Sequence, residues 1–127
     1  MAKVFLVDDH PDVRSVYEEL LKMHSHAVES YSSAVDILQR VKSQRPDVLI
    51  LDQNLPKLSG LQLLEVVRAD RGLDSVYVVM YSGSATVKDI ALAAGAQQFW
   101  VKGSDDIFDR IEHLEVNVST RLAALKA

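Results

Sequence analysis

Apolar residues follow two alternating rhythms along this chain. Four short runs hold β-branched and aromatic residues without a break: Lys3 to Val7 (KVFLV), Asp47 to Leu51 (DVLIL), Val76 to Met80 (VYVVM) and Gln98 to Val101 (QFWV). A strand with one wet face would alternate apolar and polar positions. Unbroken apolarity instead predicts strands covered on both faces, as in a parallel sheet. A fifth, weaker strand is placed at Ala27 to Tyr31.

Between the runs the period becomes helical. Val13, Val16, Tyr17, Leu20 and Leu21 fall at i, i+3, i+4, i+7 and i+8, with Pro11 suited to a first helical position. Ala34, Ile37, Leu38 and Val41 form a second stripe after Ser32 and Ser33 as caps, and Ser59 with Gln62 has capping-box spacing ahead of Leu63, Leu64 and Val67. A fourth helix is predicted from a Thr86 cap through Val87, Ile90, Ala91 and Ala94, closed by Gly95 as a left-handed C-terminal cap. A fifth follows Ser104, with Ile107, Phe108, Ile111, Leu114, Val118, Leu122 and Leu125 on one side, and Asp105 and Asp106 complementing the dipole of its first turn. Strict strand–helix alternation implies right-handed crossovers and a doubly wound α/β fold with a five-stranded parallel sheet. No repeat, linker or low-complexity segment interrupts it, so residues 1–127 are read as a single domain.

Composition narrows the function classes. Fourteen Lys and Arg against 18 Asp and Glu give a net charge of −4, with no basic run dense enough to track a phosphate backbone, so direct nucleic-acid binding has no support. No apolar stretch approaches the roughly 18 residues of a membrane span. The first residues carry acids where a signal peptide would carry its apolar region, and a cytoplasmic location is expected. The absence of cysteine excludes disulfides, thiolate chemistry and a Cys-ligated zinc.

In a doubly wound sheet, ligands bind beyond the carboxyl ends of the strands, near the point where the winding reverses. Those positions hold Asp8 and Asp9 after the first strand, Asp52 after the third, Ser82 after the fourth and Lys102 after the fifth. Any one of them alone reads as a turn residue or helix cap. Together, three carboxylates without compensation would raise one another's pKa values and cost stability, so the cluster calls for a cation. Oxygen ligands point to Mg²⁺, with Mn²⁺ as the alternative, rather than zinc. His10 is read as a helix-entry residue, Pro56 and Gly60 as shaping the loop into the third helix, and His24, His26 and His113 as surface or partly buried residues without ligand spacing. Phe99 and Trp100 must alternate faces, with Trp100 expected inward and Phe99 outward.

The motifs VDDH, LDQNLPKLSG, MYSGS and WVKG, in this order and each at a strand end, resemble the receiver domain of two-component response regulators over almost the whole chain. The resemblance implies a flavodoxin-like (βα)5 fold with strand order 2-1-3-4-5. It implies that Asp52 is the phosphoacceptor and that Asp9, Asp52 and the backbone carbonyl of Asn54 ligate Mg²⁺, with Asp8 holding metal-bound water. Lys102 would pair with the Asp52 carboxylate or its phosphoryl group, Ser82 would bond the phosphoryl oxygens, and Phe99 would be the aromatic that changes rotamer on activation. Asn54 and Ser84 stand where the family tunes water access. The implied partners are a sensor histidine kinase or a histidine phosphotransfer protein, with a homodimer or a downstream output domain left open. The protein would assist its own phosphorylation and dephosphorylation, switching the surface of helix 4, strand 5 and helix 5.

Two positions depart from that pattern. Gly103 follows Lys102 where many members have proline, and the 13 steps from Ser82 to Gly95 are shorter than usual, so helix 4 or its entry loop must be short. The last helix runs beyond what a receiver needs, which leaves room for a further domain. The competing readings are a flavodoxin-like cofactor module, whose flavin phosphate the acids of DDHPD would repel, and a docking module independent of phosphorylation, which the presence of all five key residues opposes. An aspartyl phosphatase would need a second acid two residues after Asp52, where Asn54 stands.

Overall fold

A computed structural model describes residues 2–34, 37–103 and 107–126. The elements are β1 (Lys3–Val7), α1 (Pro11–Met23), β2 (Ala27–Tyr31), α2 (Ile37–Gln44), β3 (Val48–Asp52), α3 (Gly60–Ala69), a 3₁₀ turn (Arg71–Leu73), β4 (Tyr77–Ser82), α4 (Lys88–Ala93), β5 (Gln98–Val101), α5 (Ile107–Glu112) and α6 (Leu114–Lys126). All strand pairs are parallel, in the order β2-β1-β3-β4-β5.

The two-residue period of the strands sorts the core into two layers. Phe5, Val7, Leu49, Leu51, Val78, Met80 and Phe99 meet Ile37 and Val41 of α2, Leu63, Leu64 and Val67 of α3, and Ala91 of α4. Val4, Leu6, Val48, Ile50, Tyr77, Val79, Tyr81 and Trp100 meet Tyr17, Leu20 and Leu21 of α1, Ile111 of α5, and Leu114 and Val118 of α6. Every residue of β3 and β4 is buried, which explains why their sequences do not alternate. Both Phe99 and Trp100 are buried, at 5% and 0% exposure, so the expected outward Phe99 is corrected: the sheet has helices on both sides, and the two residues enter opposite core layers.

The caps follow local chemistry. Ser59 and Gln62 form a reciprocal capping box at α3, and Pro11 opens α1. Gly95 closes α4 at φ +112, a left-handed conformation that side chains disfavour. The Thr86 cap is corrected to Val87, because the Thr86 hydroxyl bonds Ser84 Oγ instead. The single last helix is divided at His113, although His113 N–H still donates to Asp109 O and Asn117 N–H to His113 O. Val16 and Ile90, assigned to inner stripes, are each 56% exposed, since Tyr17, Leu20 and Leu21 on α1 and Ala91 on the six-residue α4 occupy the centre of the buried faces. Ser104, Asp105 and Asp106 lie outside the described residues. No helix among the described residues is long and apolar enough to cross a membrane.

The winding reverses between β1 and β3, which are neighbours although β2 lies between them in sequence. The carboxyl ends of these two strands deliver Asp8 and Asp52 to adjacent positions. Asp52 and Ser82 are the final ladder residues of β3 and β4 rather than the residues after them, because the parallel register continues as Asp52↔Tyr81 and Ser82↔Val101.

Candidate functional site

The site is built where β1, β3, β4 and β5 end. Asp8 is fully buried, and both of its oxygens are engaged: Oδ1 accepts from His10 N–H at 2.8 Å and Oδ2 from the Tyr81 hydroxyl at 2.5 Å. Arg14 Nη1 donates to the Asp8 carbonyl at 2.8 Å, tying α1 to the end of β1. Asp52 is 1% exposed, and its Oδ1 accepts from Asn54 N–H at 3.2 Å. Lys102, held by its N–H to Ser82 O at 2.8 Å, extends its ammonium to 3.3 Å from Asp8 Oδ2 and 3.2 Å from Asp52 Oδ2. The ammonium lies at ion-pair distance from Asp52 Oδ2, and this buried oxygen has no other donor among the described residues.

The two buried acids are driven in opposite directions. Burial opposes ionisation of Asp8, but the hydrogen bonds from Tyr81 and His10 N–H and the charge of Lys102 outweigh it and hold its pKa below the ordinary carboxylate value. Burial raises the pKa of Asp52, and the neighbouring Asp8 charge adds to this; Asn54 N–H and Lys102 only partly offset the rise. Of the two buried acids, Asp52 is the one whose charge is less well compensated, chiefly because fewer hydrogen bonds offset its burial.

The donor set fits a hard divalent cation. Asp8, Asp9, His10 and Asp52 each offer an atom within 4.8 Å of the others, and three of the four are carboxylates. Asp9 and His10 lie at the open rim, with 36% and 62% of their side chains exposed, whereas Asp8 and Asp52 form the floor. His10 does enter the helix, as the N-cap of α1, but its ring also joins the acids: Nδ1 is 3.0 Å from Asp9 Oδ1, 3.2 Å from Asp8 Oδ1 and 4.0 Å from Asp52 Oδ2. Its position directly after two acids at a strand end was the available signal.

The family model "Response regulator receiver domain" matches residues 4–112. The chain belongs to this family. The protein is 29% identical over 100 residues to Response regulator MprA of Mycobacterium ulcerans, an alignment covering 79% of this chain and 43% of the relative. The chain spans less than half the length of the curated relatives it matches. Among solved receiver folds, a putative response regulator from Chloroflexus aurantiacus superposes with a TM-score of 0.84 at 24% identity, covering 94% of this chain and 98% of that one. The response regulator TrrA from Thermotoga maritima, solved in complex with Mg²⁺-BeF, gives 0.80 at 22% identity, covering 93% and 99%.

Within this receiver, Asp8, Asp9, Asp52 and Lys102 converge, and the residues expected to switch, Ser82 and Phe99, lie on the neighbouring strands β4 and β5. Ser82 is 4% exposed and its hydroxyl accepts from Ser84 N–H at 3.3 Å. Phe99 pairs in register with Met80 and lies in the core layer that also holds Val87 and Val101. Gly103 has φ +79, a conformation closed to the proline common at this position of the receiver family. Tyr81 is the functional candidate that sequence reasoning missed. The apolar run Val76 to Met80 stops one residue short of it, and extending the alternation of Tyr77 and Val79 by one more step puts Tyr81 on the same face.

Proposed function

We propose that this receiver accepts a phosphoryl group on Asp52 from a phosphohistidine of a sensor histidine kinase or histidine phosphotransfer protein, with Mg²⁺ in the acid pocket. The observation that carries this reading is Asp52 itself: a carboxylate at 1% exposure, one oxygen lacking a hydrogen-bond donor, facing a lysine across the pocket from two further acids. Buried polar atoms in folded proteins are as a rule hydrogen-bonded, so a buried carboxylate oxygen left unsatisfied calls for a functional explanation.

An Asp52 oxygen forms the new O–P bond as the donor's N–P bond breaks, and the imidazole leaves with that electron pair. Carboxylates are weak nucleophiles toward phosphorus, so the chain contributes mainly position and charge. Lys102, already between Asp8 and Asp52, neutralises charge on the transferring group. Asp9, Asp52 and the Asn54 carbonyl would hold the cation, with Asp8 acting through its water; the cation supplies charge neutralisation and polarisation of the phosphoryl oxygens. The TrrA complex with Mg²⁺-BeF on the same fold is consistent with this assignment. The product is an acyl phosphate that water can hydrolyse, and the exposed Asn54 and Ser84 stand where they would govern that access.

The partner's histidine needs a seat beside the rim. An apolar groove lined by Val13, Val16, Tyr17, Gly103 and Ile107 shares Lys102 with the acid pocket and suits an apolar helix face. On phosphorylation, Ser82 would be drawn toward the phosphoryl oxygens, carrying the loop after β4 and altering the surface of α4, β5 and α5, where Ile90 and Leu92 are exposed.

Acetyl phosphate provides the test. A Mg²⁺-dependent adduct on the wild-type protein, absent in Asp52→Ala, supports the assignment; labelling that survives in Asp52→Ala rejects it. Amide shifts at Ser82, Ser84 and Phe99 that do not move with a phosphoryl mimic would reject the switch while leaving phosphorylation standing.

A further inference from the structure

Phosphoryl transfer to Asp52 calls for no tyrosine, yet one buried tyrosine touches several parts of the pocket. Tyr81 is fully buried in β4, and its strand neighbours are Asp52 on one side and Trp100 on the other. Its hydroxyl donates to Asp8 Oδ2 at 2.5 Å. The Lys102 ammonium sits 4.5 Å from the centre of its ring, within cation–π range. Tyr17 of α1 is stacked against the ring, with centroids 5.1 Å apart and planes at 26°, which restricts its movement.

These contacts divide the work at Asp8. With Oδ1 held by His10 N–H and Oδ2 by the Tyr81 hydroxyl, the carboxylate plane is fixed from both sides. The same hydroxyl competes with Lys102 for Oδ2, where the ammonium is the more distant partner at 3.3 Å. Lys102 therefore stays shared with Asp52 Oδ2 at 3.2 Å instead of collapsing onto Asp8. The aromatic face gives the ammonium a seat that carries no counter-charge.

We propose that Tyr81 is a positioning residue of the phosphoacceptor pocket: its hydroxyl orients Asp8 for the divalent cation, and its ring keeps Lys102 between Asp8 and Asp52. The proposal rests on the reading of this pocket as a cation-assisted phosphoacceptor site. It goes beyond that reading in assigning separate tasks to two parts of one side chain.

Two variants separate the tasks. Tyr81→Phe keeps the ring and removes the hydroxyl, so Mg²⁺ binding to the unphosphorylated protein, measured by calorimetry, should weaken about tenfold, as for loss of a partner that orients a metal-site group. Labelling by acetyl phosphate at saturating Mg²⁺ should slow modestly, because the hydroxyl no longer competes with Lys102 for Asp8 Oδ2. Tyr81→Leu removes the ring as well and should slow labelling further at saturating Mg²⁺. Wild-type Mg²⁺ affinity in folded Tyr81→Phe, or a wild-type labelling rate in Tyr81→Leu, would overturn the proposal, because a tyrosine that merely fills the core would move only stability. Should the variants fail to fold, the wild-type protein provides the measurement. The Tyr81 hydroxyl proton, buried in a short bond, should resonate downfield and shift when Mg²⁺ is added, and an unchanged resonance would overturn the role. Absence of Mg²⁺ binding by the wild-type protein would remove the pocket reading itself and the proposal with it, a result distinct from any effect of the variants.

Discussion

Gly60 packs its α-carbon against the backbone of Asp52: a Cβ added there would lie 2.4 Å from the Asp52 carbonyl oxygen and 3.1 Å from Gln53 Cα. Gly60 N–H also donates to Gln53 O at 3.1 Å, so the first residue of α3 is pinned to the strand end that presents Asp52. Gly60→Ala would gain at most about 0.5–1 kcal/mol of helix propensity, whereas overpacking against atoms that cannot rotate away costs about 1–3 kcal/mol. The clash wins. A lower urea midpoint and slower acetyl phosphate labelling are expected, and an unchanged labelling rate would show that Asp52 does not depend on this contact.

Asp52→Asn should stabilise the protein in cation-free buffer while abolishing labelling. The substitution removes a charge whose burial and whose neighbour Asp8 both oppose ionisation, and Lys102 retains Asp8 as a partner. A gain on the order of 1 kcal/mol is expected from relieving one poorly satisfied buried charge. Thermal and urea unfolding of the two proteins provide the comparison.

The opposed shifts of the two acids give a pH signature without divalent cations. Asp52 is raised in the folded state, so folding binds its proton more tightly than the unfolded chain does, and stability rises as pH falls from neutral through its folded pKa. Asp8 is lowered, so its contribution is present above the unfolded value and is lost as pH falls through the folded one. Urea midpoints should therefore rise before they fall on acidification, and the rise should be missing in Asp52→Asn. A monotonic decline shared by both proteins would contradict this.

Arg68 ties the opposite end of the sheet. Its guanidinium donates to the carbonyls of Gly95, Leu73 and Val76 and to Gln97 Oε1, with distances from 2.7 to 3.3 Å. Lysine cannot span these acceptors, so Arg68→Lys should cost about 1–3 kcal/mol, chiefly at the Val76 carbonyl, since Gly95 O keeps Gln97 Nε2, Leu73 O keeps Val76 N–H and Gln97 Oε1 keeps Val78 N–H as donors. Gly95→Ala should also destabilise, since its Cβ would lie 2.8 Å from Arg68 Cγ on a residue at φ +112. Because the two residues touch, the double variant should cost less than the sum of the single ones, and additive urea results would refute their coupling.

Local chemistry made much of this receiver legible. The unbroken apolar runs marked strands covered on both faces, and Ser59 with Gln62 and Gly95 marked helix ends, because caps and periodicity depend on residues within a few positions of one another. Strand boundaries were less legible: Asp52 and Ser82 continue their ladders because neighbouring strands supply partners, which hydropathy does not register. The exposure of Val16 and Ile90 likewise depends on how the helices are rotated against the sheet.

By itself, the sequence determined the doubly wound class and the carboxyl-end location of the candidate site and its acids, since each follows from residue type and spacing along one segment. Only the tertiary structure decided that Lys102 stands between Asp8 and Asp52, that the His10 ring joins the acids, and that Tyr81 reaches Asp8 across 73 residues. Those relationships are set by sheet register and side-chain direction across separate strands, and distances of that kind have no trace in a linear pattern.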